Sequence, residues 1–269
     1  MTTSDLLHET ISALTANKVR TSLTMLGIII GISSVITMVS IGQGAQSAIQ
    51  SSIQSIGSNL IIVSPGATRS FGYGASTGRG AAKTLTMKDV DAISNEVADI
   101  NAISPEISSR YQVTAKGTNT NTSVIGSEPA YTTVHNVTID TGSFISAQDL
   151  ASRSKVAVIG PTVRDDLFGV DTDAVGQSIR INGMEFKVIG MTKSKGSGGF
   201  GNQDDTVYIP LSTAQLFLLG DSTYVTSLSI SASDSTVMTQ VQADITALLL
   251  SRHKISNPTN ADFNVLNQV

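Results

Sequence analysis

The sequence predicts an α+β protein in which one N-terminal transmembrane helix precedes an extracytoplasmic αβ domain that carries an inserted, smaller αβ subdomain. Two observations predict this class. No charged residue occurs between Thr21 and Thr68, and this stretch opens with a long apolar run. After residue 60, segments with helical period alternate with segments with strand period. A membrane anchor followed by a mixed αβ domain accounts for both patterns.

The apolar run from Leu23 to Ile41 is long enough to cross a lipid bilayer. A helix rises about 1.5 Å per residue, so roughly 20 residues span the roughly 30 Å hydrocarbon layer. Inside that layer a helix satisfies its own backbone hydrogen bonds, which a lipid-exposed loop cannot do. We therefore expect a transmembrane helix over residues 21–45.

The charges that flank this run predict its orientation. Lys18 and Arg20 stand immediately before it, and its far end continues to Gln46 without charge. Positive flanks favour the cytoplasmic side, so we expect a cytoplasmic N-terminus and a periplasmic or extracellular main domain at the cell (inner) membrane. A signal peptide cleaved near residues 45–48 is the alternative, but its apolar region would exceed the usual length of about 7–15 residues.

Residues 1–20 are expected to form a cytoplasmic amphipathic segment. Leu7, Ile11 and Leu14 recur at helical spacing behind Ser4, a suitable N-cap. A frayed tail is the alternative, because this apolar face is narrow.

Two further patterns predict contacts made by the helix. Gly27 and Gly31 lie four residues apart, a spacing that lets another membrane helix approach closely. The remaining surface of the helix is expected to contact membrane lipid. Ile49, Ile53 and Ile56 continue the helical spacing beyond the membrane. They predict a stalk face on a rod that can carry a displacement from the membrane to the domain. A passive spacer fits the same residues.

The composition excludes several kinds of site. The 269 residues include 17 Lys and Arg, 21 Asp and Glu and no cysteine, and the net charge is −4. Disulfides and thiolate chemistry are therefore excluded, and the lack of a basic block argues against nucleic-acid binding. His8, His135 and His253 have no second histidine at ligand spacing, and the pairs Asp165-Asp166 and Asp204-Asp205 are interpreted as solvated. We expect no catalytic residue, metal or cofactor.

The rest of the chain reads as one αβ unit interrupted by another. The predicted elements are a strand at 60–63 with a turn at 64–66, a helix at 86–97, strands at 100–107, 111–116, 121–126 and 134–139, a helix at 147–151, a strand at 155–159, a helix at 162–168, a hairpin at 178–191 turning at Asn182-Gly183, a strand at 206–209, a strand at 223–231, a helix at 235–252 and a strand at 263–266. Glycine-rich loops are expected at 66–82 and 195–202. This order places the stalk and first half-domain at 46–130, the inserted subdomain at 131–220 and the second half at 221–269.

Six blocks of the sequence resemble MacB-type ABC transporter permeases of the FtsX/LolC-like superfamily. They are NKVRTSLTMLGIIIG from Asn17, GSNLIIVSPG from Gly57, LTMKDVDAI from Leu85, SRSKVAVIGPTVRDDLF from Ser152, VGQSIRINGMEFKVIGM from Val175 and DDTVYIPLSTAQ from Asp204. They follow the order and spacing of the family. The resemblance identifies the chain as the first transmembrane helix and periplasmic core domain of such a permease.

The resemblance implies a porter-like αβ fold with a smaller αβ insertion. It also implies a permease dimer that works with a cytoplasmic ABC ATPase as a separate subunit, and a periplasmic adaptor protein is a further expected partner. ATP-driven closure of the ATPase would be relayed through the long helices by mechanotransmission. The expected result is export or extraction of a hydrophobic compound, peptide or lipoprotein.

One feature departs from the family pattern. No second apolar run of spanning length follows Ile41, and no Walker motif occurs. We therefore expect a non-catalytic chain that stops before three further transmembrane helices. The alternative function is a membrane-anchored binding or adaptor module without transport of its own.

Overall fold

A computed structural model describes residue 8 and residues 16–56, 59–66, 83–198, 201–218, 220 and 223–267. It divides into two compact units, Met1–Ser52 and Ile53–Val269. Most of the predicted amphipathic segment at 1–20 and most of the predicted loop at 66–82 lie outside the described residues.

The first helix, α1 (Lys18–Ile56), has 39 residues and is about 58 Å long. Its part from Lys18 to Ser47 is long and apolar enough to cross a membrane. The hydroxyls of Ser34 and Thr37 donate to carbonyls one turn earlier, at 2.7 Å each, so they need no water. The predicted unbroken helix through residue 56 is confirmed.

The remaining elements alternate in the order expected of a mixed αβ domain. The strands are β1 (Leu60–Pro65), β2 (Ile100–Ala115), β3 (Thr118–Ser127), β4 (Ile139–Gly142), β5 (Val156–Ile159), β6 (Ser178–Ile181), β7 (Met184–Thr192), β8 (Ser197–Gly198), β9 (Gly201–Asn202), β10 (Thr206–Pro210), β11 (Ser227–Ala232) and β12 (Phe263–Asn267). The helices are α2 (Met87–Glu96), α3 (Tyr131–Val134), α4 (Ala147–Ser152), α5 (Pro161–Phe168), α6 (Leu211–Phe217) and α7 (Met238–Arg252), with a 3-10 turn at Pro258–Asn260.

One antiparallel sheet joins the two ends of the domain. β1 lies between β11 and β12, which come from the other end of the chain, and β11 also pairs with the first half of β2. Helices α2 and α7 cover one face of this sheet. Their shared core includes Ile61, Val63, Val90, Ile93, Leu228, Ile230, Val241, Ile245 and Leu249. Burial of each large aliphatic side chain contributes about 1.5–3 kcal/mol, which holds the two chain ends together.

The strands between those ends close into a ring. β2 pairs with β3, β3 with β10, β10 with β5, β5 with β7, β7 with β6, and β6 again with β2. Strand alternation sends Val124, Ile159 and Val207 into a filled interior, while Ile125 and Tyr208 face outwards. The prediction of an αβ domain interrupted by a smaller unit is confirmed by this topology.

Strand β2 belongs to both sheets. Ile100–Glu106 pairs with β11, and Ile107–Ala115 pairs with β3. The prediction of two separate strands at 100–107 and 111–116 is therefore wrong, because the polar residues between them lie within one continuous strand. Strand pairing places residues 107–127 with the ring, and the predicted boundary after residue 130 stays a prediction.

Several local predictions can be compared with the structure. The Asn182-Gly183 turn is confirmed, with φ angles of 50° and 80°, as a type I′ hairpin requires. The turn predicted at residues 64–66 is wrong at Ser64 and Pro65, since both continue β1 and pair with β12. The prediction of an extended segment at 134–139 is also wrong at its first residue, because Val134 is the last residue of the short helix α3.

Candidate functional site

The residues predicted to anchor the helix all lie in α1. Lys18 and Arg20 are exposed in its first turn. A Cβ added at Gly27 or Gly31 would meet no atom of the described residues within 4 Å, so among them the backbone is open to a neighbour on this side. Packing of another helix against these glycines stays a prediction.

The predicted stalk face is described in part. Ile49 is 62% exposed on α1. The backbone of Ile53 and Ile56 is helical, but their side chains lie outside the described residues. The role of this face stays a prediction.

A polar cluster marks the point where β2 passes from the sheet to the ring, and we call it the junction (Glu106, Ser108, His135 and Thr226). Glu106 is buried, His135 and Thr226 are half-buried, and Ser108 is exposed. His135 Nε2 lies 2.6 Å from Glu106 Oε1, and the two side chains are 17% and 9% exposed. Thr226 Oγ1 accepts from the Ser108 amide at 2.8 Å and donates to the Glu106 carbonyl at 3.0 Å. The junction thereby ties the end of α3 and the start of β11 to the middle of β2.

A cleft of about 640 Å³ lies beside the junction, within the unit that begins at Ile53. Its lining combines the outer face of the ring with β1, β12 and the segment that follows β7. The residues are Ile62, Arg110, Ser123, Ile125, Tyr131, His135, Val137, Thr192, Lys193, Lys195, Asn202, Gln203, Asp204, Asp205, Thr206, Tyr208, Leu266 and Asn267. We call this set the cleft.

Aromatic rings in mutual contact support one wall of the cleft. The ring centroids of Tyr131 and Tyr208 are 5.1 Å apart, and His135 stacks on Tyr131 at 4.2 Å. Burial raises the pKa of Tyr208 to about 12 and raises the pKa of Tyr131 well above its ordinary value. Both phenols are therefore neutral at physiological pH.

One carboxylate organises the segment after β7. Asp204 accepts from the Ser194 hydroxyl at 2.5 Å, the Lys195 amide at 2.8 Å and the Gly196 amide at 3.1 Å. Lys195 Nζ donates to the His135 carbonyl at 2.7 Å. Burial lowers the pKa of Lys195, and the charge of Asp204 partly offsets this effect. The carboxylate of Asp204 and the ammonium group of Lys195 therefore both have hydrogen-bond partners within the lining of the cleft.

Sequence reasoning missed most of these residues. The interpretation of Asp204 as solvated is wrong, since it is 7% exposed and holds three donors. A signal existed for Glu106, because a carboxylate among alternating strand residues requires a partner when the strand is buried. Its partner, His135, lies 29 positions away, and no sequence pattern around His135 predicts the contact. Among the described residues, no group of three or more His, Cys, Asp or Glu side chains could hold a metal ion.

Comparison with known proteins decides the family. Residues 21–248 match the family model described as the MacB-like periplasmic core domain. The chain belongs to this family. The match runs from the apolar helix into α7, and so includes the ring and every strand of the sheet except β12.

Named relatives agree with this assignment. The macrolide export ATP-binding/permease protein MacB of Bdellovibrio bacteriovorus is 37% identical over 97% of this chain and 40% of its own length. The protein of the same name from Rhodospirillum rubrum is 38% identical over 90% of this chain and 36% of its own length. The chain thus spans 36–40% of the length of these relatives.

Solved structures confirm the predicted fold. The periplasmic region of MacB from Actinobacillus actinomycetemcomitans matches 80% of this chain and 91% of its own, with a TM-score of 0.64 and 22% identity. The extracellular domain of the ABC-type transporter YknZ from Gram-positive bacteria matches 78% of this chain and 100% of its own, with a TM-score of 0.61 and 15% identity. The predicted resemblance is confirmed: this chain carries the MacB-like periplasmic core domain of an ABC transporter permease.

Proposed function

We propose that this chain is the part of an ABC exporter that passes motion from the membrane to the periplasm. The continuous 39-residue helix α1, in a chain of the MacB-like family, is the observation that carries the proposal. A helix without a break transmits an axial or tilting displacement that a flexible linker would absorb. The cargo would be a hydrophobic compound, peptide or lipoprotein.

The proposed orientation is a single pass, with a cytoplasmic N-terminus and a periplasmic domain in the inner membrane. Lys18 and Arg20 support it as the positive flank of the span. Gly27 and Gly31 support a permease dimer or another helix partner, since their open backbone allows close packing. The remaining surface of the span would contact membrane lipid.

For ATP hydrolysis, a cytoplasmic ABC ATPase is proposed as a separate subunit. The Bdellovibrio and Rhodospirillum relatives are named for both ATP binding and permease activity. A periplasmic adaptor protein is a further proposed partner. The chain itself would be non-catalytic.

Recovery of partners from native membranes tests this function. The full-length protein that contains this chain is tagged, extracted in mild detergent and analysed by mass spectrometry, and the ATPase activity of the recovered complex is measured. We expect an ABC ATPase subunit to co-purify and to hydrolyse ATP. A full-length protein recovered without ATP-binding activity, in the same chain or in a partner, would favour the anchored adaptor module instead.

A further inference from the structure

We propose that the cleft binds a small amphiphilic anion, with an aromatic or aliphatic body and one sulfonate or carboxylate group. The proposal rests on the geometry and charge of the cleft and goes beyond the proposed transport function. It therefore stands or falls without reference to ATP hydrolysis or export.

The size and surface of the cleft suit such a ligand. Its volume of about 640 Å³ falls within the range of roughly 300–1,000 Å³ that small-molecule sites occupy. Ile62, Ile125 and Val137 line it and are half-buried, while Leu266 is 55% exposed. A ligand body placed against these side chains would remove their apolar surface from water, which stabilises the bound state.

The strand register places a cation next to this apolar surface. On the outer face of the ring, Arg110 lies directly opposite Ser123, and Ile125 is the next residue on that face of β3. Arg110 is exposed and forms no ion pair with any carboxylate in the part of the chain that the structure describes. A guanidinium in this setting can present two parallel N–H donors to one anionic group.

A second cation enters the cleft from the other side. Lys193 follows β7, is exposed, and its backbone amide donates to Thr138, which fixes the path of the chain. Its side chain likewise has no carboxylate within ion-pair distance among the described residues. Arg110 and Lys193 therefore border one cleft, and neither has an acidic partner there.

The acidic residues of the cleft offset only part of this positive charge. Asp204 is occupied by the donors of Ser194, Lys195 and Gly196, and Asp205 is the remaining carboxylate of the lining. Three cationic side chains, Arg110, Lys193 and Lys195, line the cleft together with these two aspartates. The excess of positive charge favours an anion over a cation or a neutral molecule.

Binding of 2-naphthalenesulfonate to the protein in nanodiscs of zwitterionic lipid tests the proposal, with empty nanodiscs as the blank. The neutral 2-naphthalenesulfonamide has the same ring and serves as the comparator. By calorimetry we expect saturable binding of the sulfonate, roughly tenfold tighter than that of the sulfonamide and weaker at high salt, because a charge-assisted contact with one anion supplies about that factor.

Paired variants locate the site. Arg110→Gln with Lys193→Gln is expected to weaken sulfonate binding roughly tenfold and to leave sulfonamide binding nearly unchanged. Arg180→Gln with Lys187→Gln is the matched control, since these exposed residues on β6 and β7 change the net charge equally and lie outside the cleft. Thermal unfolding of both variants checks that each is folded.

Two results would overturn the proposal. One is sulfonate binding that does not exceed the empty-nanodisc blank. The other is an equal loss of affinity in the two double variants, which would assign the binding to net charge rather than to the cleft. Loss of transport or of an ATPase partner would leave these binding measurements unaffected, so failure of the proposed function is distinguishable.

Discussion

At the scale of single residues, buried polar groups determine how the parts of the periplasmic domain are held. The carboxylate of Glu106 is nearly buried and lies 2.6 Å from His135 Nε2. A buried polar group that loses its partner costs about 1–3 kcal/mol, because its desolvation is no longer compensated. The energetic importance of the junction therefore lies mainly in the stability that is lost when Glu106 is deprived of its partner.

His135→Ala is expected to destabilise the domain by about 2 kcal/mol, since it leaves Glu106 buried without this partner. The change also removes the ring that stacks on Tyr131. Urea unfolding followed by circular dichroism measures the loss. Thr133→Ala, at an exposed position of the same short helix, is the control and should unfold within about 0.5 kcal/mol of the unaltered protein. Equal stability of the two variants would show that the junction contact contributes nothing.

A second residue-scale prediction concerns Asp89 at the start of α2. Burial alone would raise the pKa of Asp89, but hydrogen bonds from Thr86 and Arg252 outweigh it and hold the pKa below its ordinary value. A carboxyl whose pKa is lower in the folded state stabilises the fold above its unfolded pKa of about 4, and this stability is lost as the pH falls through the folded pKa.

Asp89→Asn should therefore reduce stability at pH 7 by about 2 kcal/mol and much less at pH 2–3, because the carboxylate is already being protonated there. Urea midpoints at the two pH values measure this difference. Asp91→Asn, on the exposed side of the same helix, should show no such contrast. A loss that is the same at both pH values would refute the assigned role of the Asp89 charge.

At the scale of secondary-structure elements, β2 and β12 determine how the sheet is built. β2 continues without interruption from the sheet into the ring, so one continuous stretch of backbone connects the sheet to the ring. β12 forms one end of the sheet and pairs with β1. An open sheet edge invites pairing with another chain unless it is covered.

A side chain from α7 covers part of that edge. Gln242 Nε2 donates to the Val265 carbonyl at 2.9 Å, and its Oε1 accepts from Asn267 Nδ2 at 2.6 Å. Gln242→Ala should cost about 1–2 kcal/mol and increase self-association, because a strand carbonyl becomes free. Gln240→Ala, exposed on the same helix, is the matched control. Light scattering that rises equally for both variants would contradict this role.

At the scale of the whole molecule, the proposed membrane span and its orientation determine on which side of the membrane the core domain would lie. The orientation proposed from Lys18 and Arg20 can be tested cleanly because the sequence has no cysteine. Single cysteines can be placed at exposed Ala16 and at exposed Ser256. In cells whose outer membrane has been permeabilised and whose inner membrane is intact, a membrane-impermeant maleimide should label Ser256→Cys and spare Ala16→Cys. The reverse pattern would place the domain in the cytoplasm.

The proposed mechanical role is tested at the exposed stalk residue Ile49. Ile49→Lys in the full-length transporter is expected to leave ATP hydrolysis in place while export falls at least about tenfold, because a charge on the stalk face disrupts helix contacts that relay the motion. Ser47→Lys, two positions earlier and also exposed, adds the same charge on the opposite side of the helix. Unchanged coupling in Ile49→Lys would return the helix to the role of a passive spacer.

Elements with strong local patterns were predictable. The Asn182-Gly183 turn and the end of the helix capped by Gly169 depend on backbone preferences of residues that are close together in the sequence. Strand continuity at Ser108 was not predictable, because Thr226 supplies the partner of its amide from 118 positions away. Helix α6 also went unpredicted, since its seven residues offer too little periodicity.

The sequence by itself determined the membrane helix, the mixed αβ class and the family resemblance, since these depend on apolar runs, local periods and ordered blocks of residues. The tertiary structure alone decided the junction and the cleft. Glu106 meets His135, and Arg110 shares a cleft with Lys193, because strand pairing brings together residues far apart in the chain. Such long-range contacts depend on strand register and on closure of the ring, and no local sequence pattern predicts them.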